Sequence, residues 1–237
     1  MTEGTQSVVT LPFPDRRAAG RLLGARLKQS LGRAGSADGA YPTMVLALPR
    51  GGVAVADEVA RILRVPLDVL VTRKIGYPPQ PELGLGAIAE GAEGAEPVYD
   101  AELLRKLGLE PADLAGVVER ERAELARRVR VYRGGRPQPD VTGCQVVLAD
   151  DGLATGVTAR AALRGLRASG AARTVLAVPV APAVSAEEMA DEADEVVTLA
   201  TPADFRSVGE WYVSFAQLTD ADVLDLLARS RAHEPWP

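Results

Sequence analysis

Val146-Val147-Leu148-Ala149-Asp150-Asp151-Gly152-Leu153-Ala154-Thr155-Gly156-Val157-Thr158 is the stretch on which the reading of this chain turns. Four apolar residues in a row predict a strand covered on both faces, as in a parallel sheet. The strand ends on two adjacent carboxylates. A loop of small residues then leads into a helix that starts near Thr158 and runs over Ala159 to Ala168. Backbone N–H groups left free at a helix N-terminus favour a phosphate. Paired acids just ahead of them suit sugar hydroxyls, or a metal reached through water. One short segment therefore offers a seat for a sugar phosphate.

Two better-known phosphate loops are excluded by single positions. A Walker A loop needs Lys after the second Gly, where Val157 stands, and a dinucleotide fingerprint carries no pair of acids ahead of its turn. Four apolar residues, two acids, two mostly apolar positions, a small residue, Thr, Gly, any residue, then Ser or Thr resembles the phosphoribosyl-diphosphate (PRPP) motif of type I phosphoribosyltransferases. Gly152 is the one mild departure. The plain alternative, an ordinary strand-to-helix turn with an Asp cap, does not account for a match of this length.

Working outward, 237 residues make one large domain or a domain with an elaboration. With 25% charged residues and no apolar run of membrane-spanning length, the composition is that of a soluble globular protein. Met1 to Thr10 carries no basic, apolar leader, so a cytoplasmic setting is expected. A net charge of -5 argues against a general nucleic-acid binder. Cys144 is alone, which excludes a disulfide scaffold or a cysteine zinc site, and it reads as a small buried hydrophobe. His233, the only histidine, sits in a Pro-containing tail, which leaves carboxylates, Lys, Tyr and Arg for acid–base work.

Along the chain, residues 11–33 predict an amphipathic helix capped by Asp15, with Ala18, Leu22, Leu23, Ala25 and Leu27 on its apolar side. Residues 35–42 read as a loop. Thr43 to Leu48 is a strand, followed by Pro49-Arg50-Gly51-Gly52 and a helix through Leu63. Leu67 to Thr72 is a second strand. Arg73 to Glu82 is too rich in Pro and Gly to be regular. Short strands are expected at 84–90 and 97–99, and helix over 101–131 with a break at Gly108 to Pro111. The charged run within 112–131 reads as a solvated helix face. Beyond the focal helix, 174–180 and 195–200 are strands, 185–191 and 219–231 are helices, and 201–217 is an aromatic-containing loop.

Strands alternating with helices predict an α/β fold with a doubly wound, mostly parallel sheet, whose ligand lies beyond the carboxyl ends of the strands. The segments leaving those ends are Pro49–Gly52, Arg73–Glu82, Asp150–Thr158 and Thr201–Tyr212. The two glycines beside Arg50 permit close backbone approach or unusual dihedrals, Arg50 adds a fixed cation, and Gly52 opens a helix that favours an anion. Arg73 and Lys74 are two cations facing the same crevice. Gly209 to Phe215 is the densest aromatic cluster in a chain that is 4% aromatic. It reads equally as a packing anchor or as a stacking surface.

The resemblance spans nearly the whole chain and is closest to a bacterial subgroup of predicted phosphoribosyltransferases. These share the Leu-Pro-Arg-Gly-Gly turn, Arg-Lys-Ile-Gly, Pro-Glu-Leu-Gly-Leu-Gly-Ala-Ile and Val-Gly-x-Trp-Tyr. It implies a single phosphoribosyltransferase domain: a core at about 43–200, a helical insertion at about 101–131, and a hood at about 201–218 aided by 11–33. It further implies Mg²⁺-dependent transfer of 5-phosphoribose from PRPP to a nitrogenous acceptor, a nucleobase or related heterocycle, with release of pyrophosphate, in a homodimer. By the same carry-over, Ala154, Thr155, Gly156, Val157 and Thr158 seat the 5-phosphate. Asp150 and Asp151 hold the ribose hydroxyls and help place Mg²⁺. Arg50, Gly51, Gly52, Arg73 and Lys74 bind pyrophosphate, the loop after the first core strand often doing so through a strained or cis peptide.

The resemblance also makes 75–85 a flexible loop closing over the reaction centre, and Trp211 and Tyr212 the acceptor's cover. Ala154 stands where enzymes acting on 6-oxopurines usually carry Asp, which moves hypoxanthine and guanine down the list. Glu82, then Glu90, are the first choices for an acid or base. The rival functions are a non-catalytic PRPP sensor, disfavoured by the acidic balance and an N-terminal region with room for one helix, and transfer to an acceptor that is not a nucleobase.

Overall fold

A strand buried on both faces must be apolar at every position, and three segments of the chain meet that demand. In the computed structural model, which describes residues 9–34, 41–91 and 96–233, they form the centre of a sheet. The elements in chain order are α1 (Arg16–Ala34), β1 (Thr43–Ala47), α2 (Gly51–Leu63), β2 (Leu67–Val69), β3 (Thr72–Tyr77), β4 (Gln80–Ala89) and β5 (Pro97–Tyr99). Then follow α3 (Ala101–Leu107), α4 (Ala115–Arg133), β6 (Gln145–Ala149), α5 (Val157–Ala168), β7 (Arg173–Val180), α6 (Ala183–Met189), β8 (Glu195–Ala200) and α7 (Asp220–His233). Short 3-10 turns lie at Pro111–Leu114 and Val208–Trp211. Among the described residues no helix is long and apolar enough to cross a membrane.

The main sheet is parallel throughout, in the order β2-β1-β6-β7-β8. Successive side chains leave opposite faces of a strand, and both sets are buried here. Met44, Leu46, Val146, Leu148, Leu176 and Val178 pack with Ala159, Ala162, Leu163 and Leu166 of α5. Val45, Ala47, Val147, Ala149, Val175 and Ala177 pack instead with residues of α1, α2 and α7. The chain leaves β1 toward β2 on one side, while β6 leads to β7 and β8 on the other. The order therefore reverses between β1 and β6. That is the point where doubly wound sheets open a crevice.

Several boundaries differ from the sequence expectation. Asp15 caps α1 as expected, its carboxylate accepting from Ala18 N at 2.7 Å, but Leu22 and Ala25 are exposed and the buried stripe is Ala19, Leu23 and Leu27. Gly20 and Gly24 complete that stripe. A Cβ on Gly20 would lie 2.6 Å from the Val55 carbonyl oxygen, so the two helices cross in near backbone contact. The strand expected at 67–72 ends at Val69. Thr72 begins a second, antiparallel sheet in the order β3-β4-β5. The irregular loop expected at 73–82 is thus a hairpin turning at Pro78-Pro79, with register shifts on either side of Gly76 that admit its Pro and Gly residues. The loop placed at 35–42 falls mostly outside the described residues.

The helical insertion forms with its break as expected, but α4 is not merely a solvated face. Its last residue, Arg133, is 3% exposed and binds the carboxylates of Glu90 (2.6 Å) and Asp68 (3.2 Å) and the carbonyl of Val69 (2.8 Å). Glu90 also accepts from Val71 N at 2.9 Å. This buried knot joins the two sheets to α4. It removes Glu90 from the crevice, correcting its place as second choice for acid or base.

Candidate functional site

The register Ala47↔Ala149, with Leu48 N donating to the Ala149 carbonyl at 2.9 Å, sends the loops after β1 and β6 out side by side. They meet through glycine. A Cβ on Gly51 would stand 1.9 Å from Asp151 Oδ2, and one on Gly52 would stand 2.9 Å from Asp150 Oδ1. The Gly-Gly pair thus makes room for the acid pair, a packing reason beside the close backbone approach or unusual dihedrals expected from the sequence. The Pro49–Arg50 peptide is cis, in keeping with the turn that the resemblance implied. Gly51→Ala is expected to displace Asp151, at an overpacking cost of about 1–3 kcal/mol, read by chemical denaturation. Gly116→Ala in α4, where a Cβ meets only Arg120 Nη1 at 3.9 Å, should be neutral or stabilising. Equal effects at both positions would remove the steric argument.

The loop after the acids is held from three sides. Leu153 N donates to the Val180 carbonyl at 2.9 Å, Ser185 Oγ donates to the Ala154 carbonyl at 2.6 Å, and the Val157 side chain packs with Ala87 and Ala161. Gly156 takes φ 72°, a left-handed conformation that glycine adopts without penalty, and from it α5 begins. Ala154 and Thr155 are exposed. Neither α2 nor α5 has a side chain capping its first turn, and neither carries an acid there. Two uncapped helix N-termini thus open on the same crevice, each favouring an anion.

Asp150 and Asp151 lie between them. Burial, and next the charge of Asp151, push the Asp150 carboxyl well above the ordinary carboxylate range; its Oδ1 accepts from Asp151 N at 2.8 Å. Burial also raises Asp151, against the pull of Arg16. Arg16 Nε donates to Asp151 Oδ2 at 2.7 Å, and its Nη1 donates to the Ala216 carbonyl at 2.7 Å. The sequence reading missed this residue. It is one of several arginines in an Arg-rich segment, and nothing in its spacing marks it.

The expected cations separate by register. Cross-strand partners share a face, so Lys74, opposite Ala87, lies on the side facing α5, whereas Arg73, opposite Ile88, lies on the other. Arg73 is bound to Glu121 of α4 at 2.7 Å, which corrects its assignment to the crevice. Lys74 runs across Gly84, where a Cβ would touch its stem at 3.1 Å. Arg50 lies 3.7 Å from Asp220 Oδ1, and that carboxylate also accepts from the Tyr132 hydroxyl at 2.6 Å. Burial and this bond push Tyr132 up to about 12. Glu82 has its backbone in β4; its side chain lies outside the described residues.

The two segments grouped as a hood are hydrogen-bonded to one another. Phe13 N donates to the Trp211 carbonyl, Val213 N to the Phe13 carbonyl and Ser214 N to the Pro14 carbonyl. Tyr212 is 5% exposed, packed against Phe13 and Phe215, and its hydroxyl donates to the Asp151 carbonyl. It is a packing anchor, which corrects its assignment to acceptor binding. Trp211 is half-buried and stacks on Phe205 at 6.2 Å between ring centroids. Val208 lies over Gly152, where a Cβ would come within 2.5 Å of its Cγ1. The mild departure from the motif is therefore where the hood rests on the loop.

Among the described residues no group of three acidic, His or Cys side chains converges as a metal cage. Two adjacent carboxylates fit a Mg²⁺ whose remaining ligands are water and substrate oxygens, the usual habit of this ion at phosphates.

Residues 25–214 match the family model described as phosphoribosyl transferase domain. Two strains of Mycobacterium tuberculosis carry a protein, provisionally assigned as a phosphoribosyl transferase, that is 46% identical over 224 residues, covering 94% of this chain and 48% of its own length. The chain thus spans about half the length of the curated relatives it matches. The crystal structure of TT1426 from Thermus thermophilus is 42% identical, covers 92% of this chain and 98% of its own, and superposes with a TM-score of 0.73.

Proposed function

The chain belongs to the phosphoribosyl transferase family, and from that premise we propose that it transfers 5-phosphoribose from PRPP to a nitrogenous acceptor. The bond from the ribose anomeric carbon to pyrophosphate breaks, a bond to the acceptor nitrogen forms, and pyrophosphate leaves. The observation that carries this reading is the convergence of two uncapped helix N-termini on one acid pair at the point where the strand order reverses. One helix start suits the 5-phosphate and the other the diphosphate, with the sugar between them.

In this reading the N–H groups of residues 154–158 and the Thr155 and Thr158 hydroxyls hold the 5-phosphate. Asp150 and Asp151 accept from the ribose hydroxyls. Arg50, held by Asp220, and Lys74 stabilise the negative charge that grows on the departing diphosphate, an effect strongest where water is excluded. Mg²⁺, when bound, supplies positive charge to the diphosphate oxygens. Trp211 covers the acceptor, since a cationic sugar centre must be kept from water. A homodimer and a cytoplasmic setting belong to the same proposal.

The test is Mg²⁺-dependent pyrophosphate release from PRPP over a panel of nucleobases, related heterocycles and amines. Turnover with at least one acceptor is expected. Binding of PRPP without turnover on any acceptor would identify a sensor instead. Trp211→Ala should raise the acceptor KM by about tenfold, the loss of one stacked aromatic contact of roughly 1–1.5 kcal/mol, while leaving PRPP affinity unchanged. The reverse pattern would remove Trp211 from the acceptor's cover.

A further inference from the structure

Arg16 lies outside the span matched by the family model, yet it touches the acid pair and the hood and borders the turn after β1. Its Nε donates to Asp151 Oδ2, its Nη1 donates to the Ala216 carbonyl, and its guanidinium carbon sits 3.7 Å from the centre of the Phe215 ring. A Cβ on Gly51 would come within 3.1 Å of the same Nε, so the guanidinium also borders the turn after β1. The side chain is 10% exposed. A guanidinium keeps its charge and its planar fork, which allows it to hold three partners at fixed angles. Asp151, for its part, is gripped at both ends: its carboxylate by Arg16 and its carbonyl by Tyr212.

We propose that Arg16 is a positioning residue that couples the hood to the donor seat: ribose hydroxyls drawing on Asp151 shift the guanidinium, and with it Phe215 and Ala216, so that donor binding orders the cover of the acceptor. The inference rests on the PRPP reading of the site. Arg16 binds Oδ2, one of the two carboxylate oxygens of Asp151, so a ribose hydroxyl on the other oxygen lets the donor and Arg16 share this group. On the hood side, Tyr212 packs on Phe215 with ring centroids 5.1 Å apart, and Trp211 precedes it directly. A movement of Phe215 therefore reaches the tryptophan through one packed ring. Lys in place of Arg would keep the charge but reach only one of the two oxygens.

The chain has two tryptophans, so Trp236→Phe leaves Trp211 as the sole indole reporter. In that background, PRPP binding is measured by calorimetry, with Trp211 emission and acrylamide quenching followed over the same titration. PRPP is expected to lower quenching of Trp211 at least twofold with Arg16 present. Arg16→Gln and Arg16→Lys are expected to bind PRPP within about tenfold but to leave Trp211 unresponsive. A residue that only stabilised the fold would lower the melting temperature and leave the response intact. A response preserved in both variants, or absent with Arg16 present while PRPP binds, overturns the coupling alone. No calorimetric binding of PRPP by the Arg16-containing protein overturns the PRPP reading, and the coupling with it.

Discussion

Asp150→Asn and Asp151→Asn are each expected to weaken PRPP binding by about ten- to a hundredfold, while Asp150→Asn raises the stability of the ligand-free protein and Asp151→Asn changes it far less. The loss of affinity follows from the acceptor each variant removes, since a hydrogen bond to a charged group contributes about 1.5–3 kcal/mol. Stability divides because the two carboxylates are held differently. Asp150 is buried beside a like charge, and its folded pKa stands well above the ordinary value. Its favourable contribution is full below the unfolded pKa and is lost as pH rises through the folded one. Above the unfolded pKa, burial of this carboxyl therefore opposes folding. Asn keeps the oxygen that accepts from Asp151 N and removes the charge, so a gain of roughly 1 kcal/mol, or about 2–4 °C in Tm for a domain of this size, is expected.

Asp151, in contrast, is the counter-ion of a guanidinium that is 10% exposed. The Asp151 pKa is raised less far than that of Asp150 because the Arg16 bond offsets much of the cost of burial, so little or no gain in Tm is expected on neutralising it. Calorimetry with PRPP and thermal unfolding of both variants measure the two quantities. Unchanged affinity in both variants would remove the acid pair from the donor seat. A larger rise in Tm for Asp151→Asn than for Asp150→Asn would contradict the electrostatics assigned to the pair.

What could be read from the sequence is what neighbours along the chain decide. Val146 to Ala149 make a two-faced strand by their own character, and the positions of Asp150, Gly156 and Thr158 follow from local spacing. Contacts set by packing between distant segments were out of reach. Arg16 and Asp151 are 135 residues apart, and only the docking of residues 11–16 on 211–216 brings them together. Arg73 and Lys74 look alike as neighbours. Their separation to opposite faces depends on a pairing with Ile88 and Ala87 that strand alternation cannot specify without knowing the partner. The hairpin was hidden for a related reason. Pro78, Pro79 and Pro81 argue against a strand, but two of them form the turn and the third sits where the register shifts at Gly76 and a Cβ on that glycine would meet the Pro81 carbonyl oxygen at 2.4 Å.

Arg133→Met is expected to lower stability by about 3–5 kcal/mol, the usual cost of removing one partner from a buried ion pair, or roughly 6–20 °C in Tm. The variant keeps the apolar stem, so the loss reports the charge. Without Arg133, Asp68 and Glu90, 3% and 7% exposed, face each other's charge, with Arg231 4.0 Å from Asp68. Burial already raises Glu90 against the pull of Arg133, so an orphaned Glu90 is the larger part of the damage. Adding Glu90→Gln to Arg133→Met should therefore recover about 1–3 kcal/mol, the coupling typical of groups in one network. The same cycle decides between two roles for Glu90. As a structural anion it gives a large coupling in stability and leaves turnover per folded molecule unchanged in the single Glu90→Gln variant. As an acid or base of the reaction it would give the opposite: turnover lost at unchanged Tm, and no recovery in the double variant. The 2.6 Å bond to a guanidinium buried against Asp68 and Val69 of β2, a strand separated by β1 from the one that ends on the acid pair, favours the first.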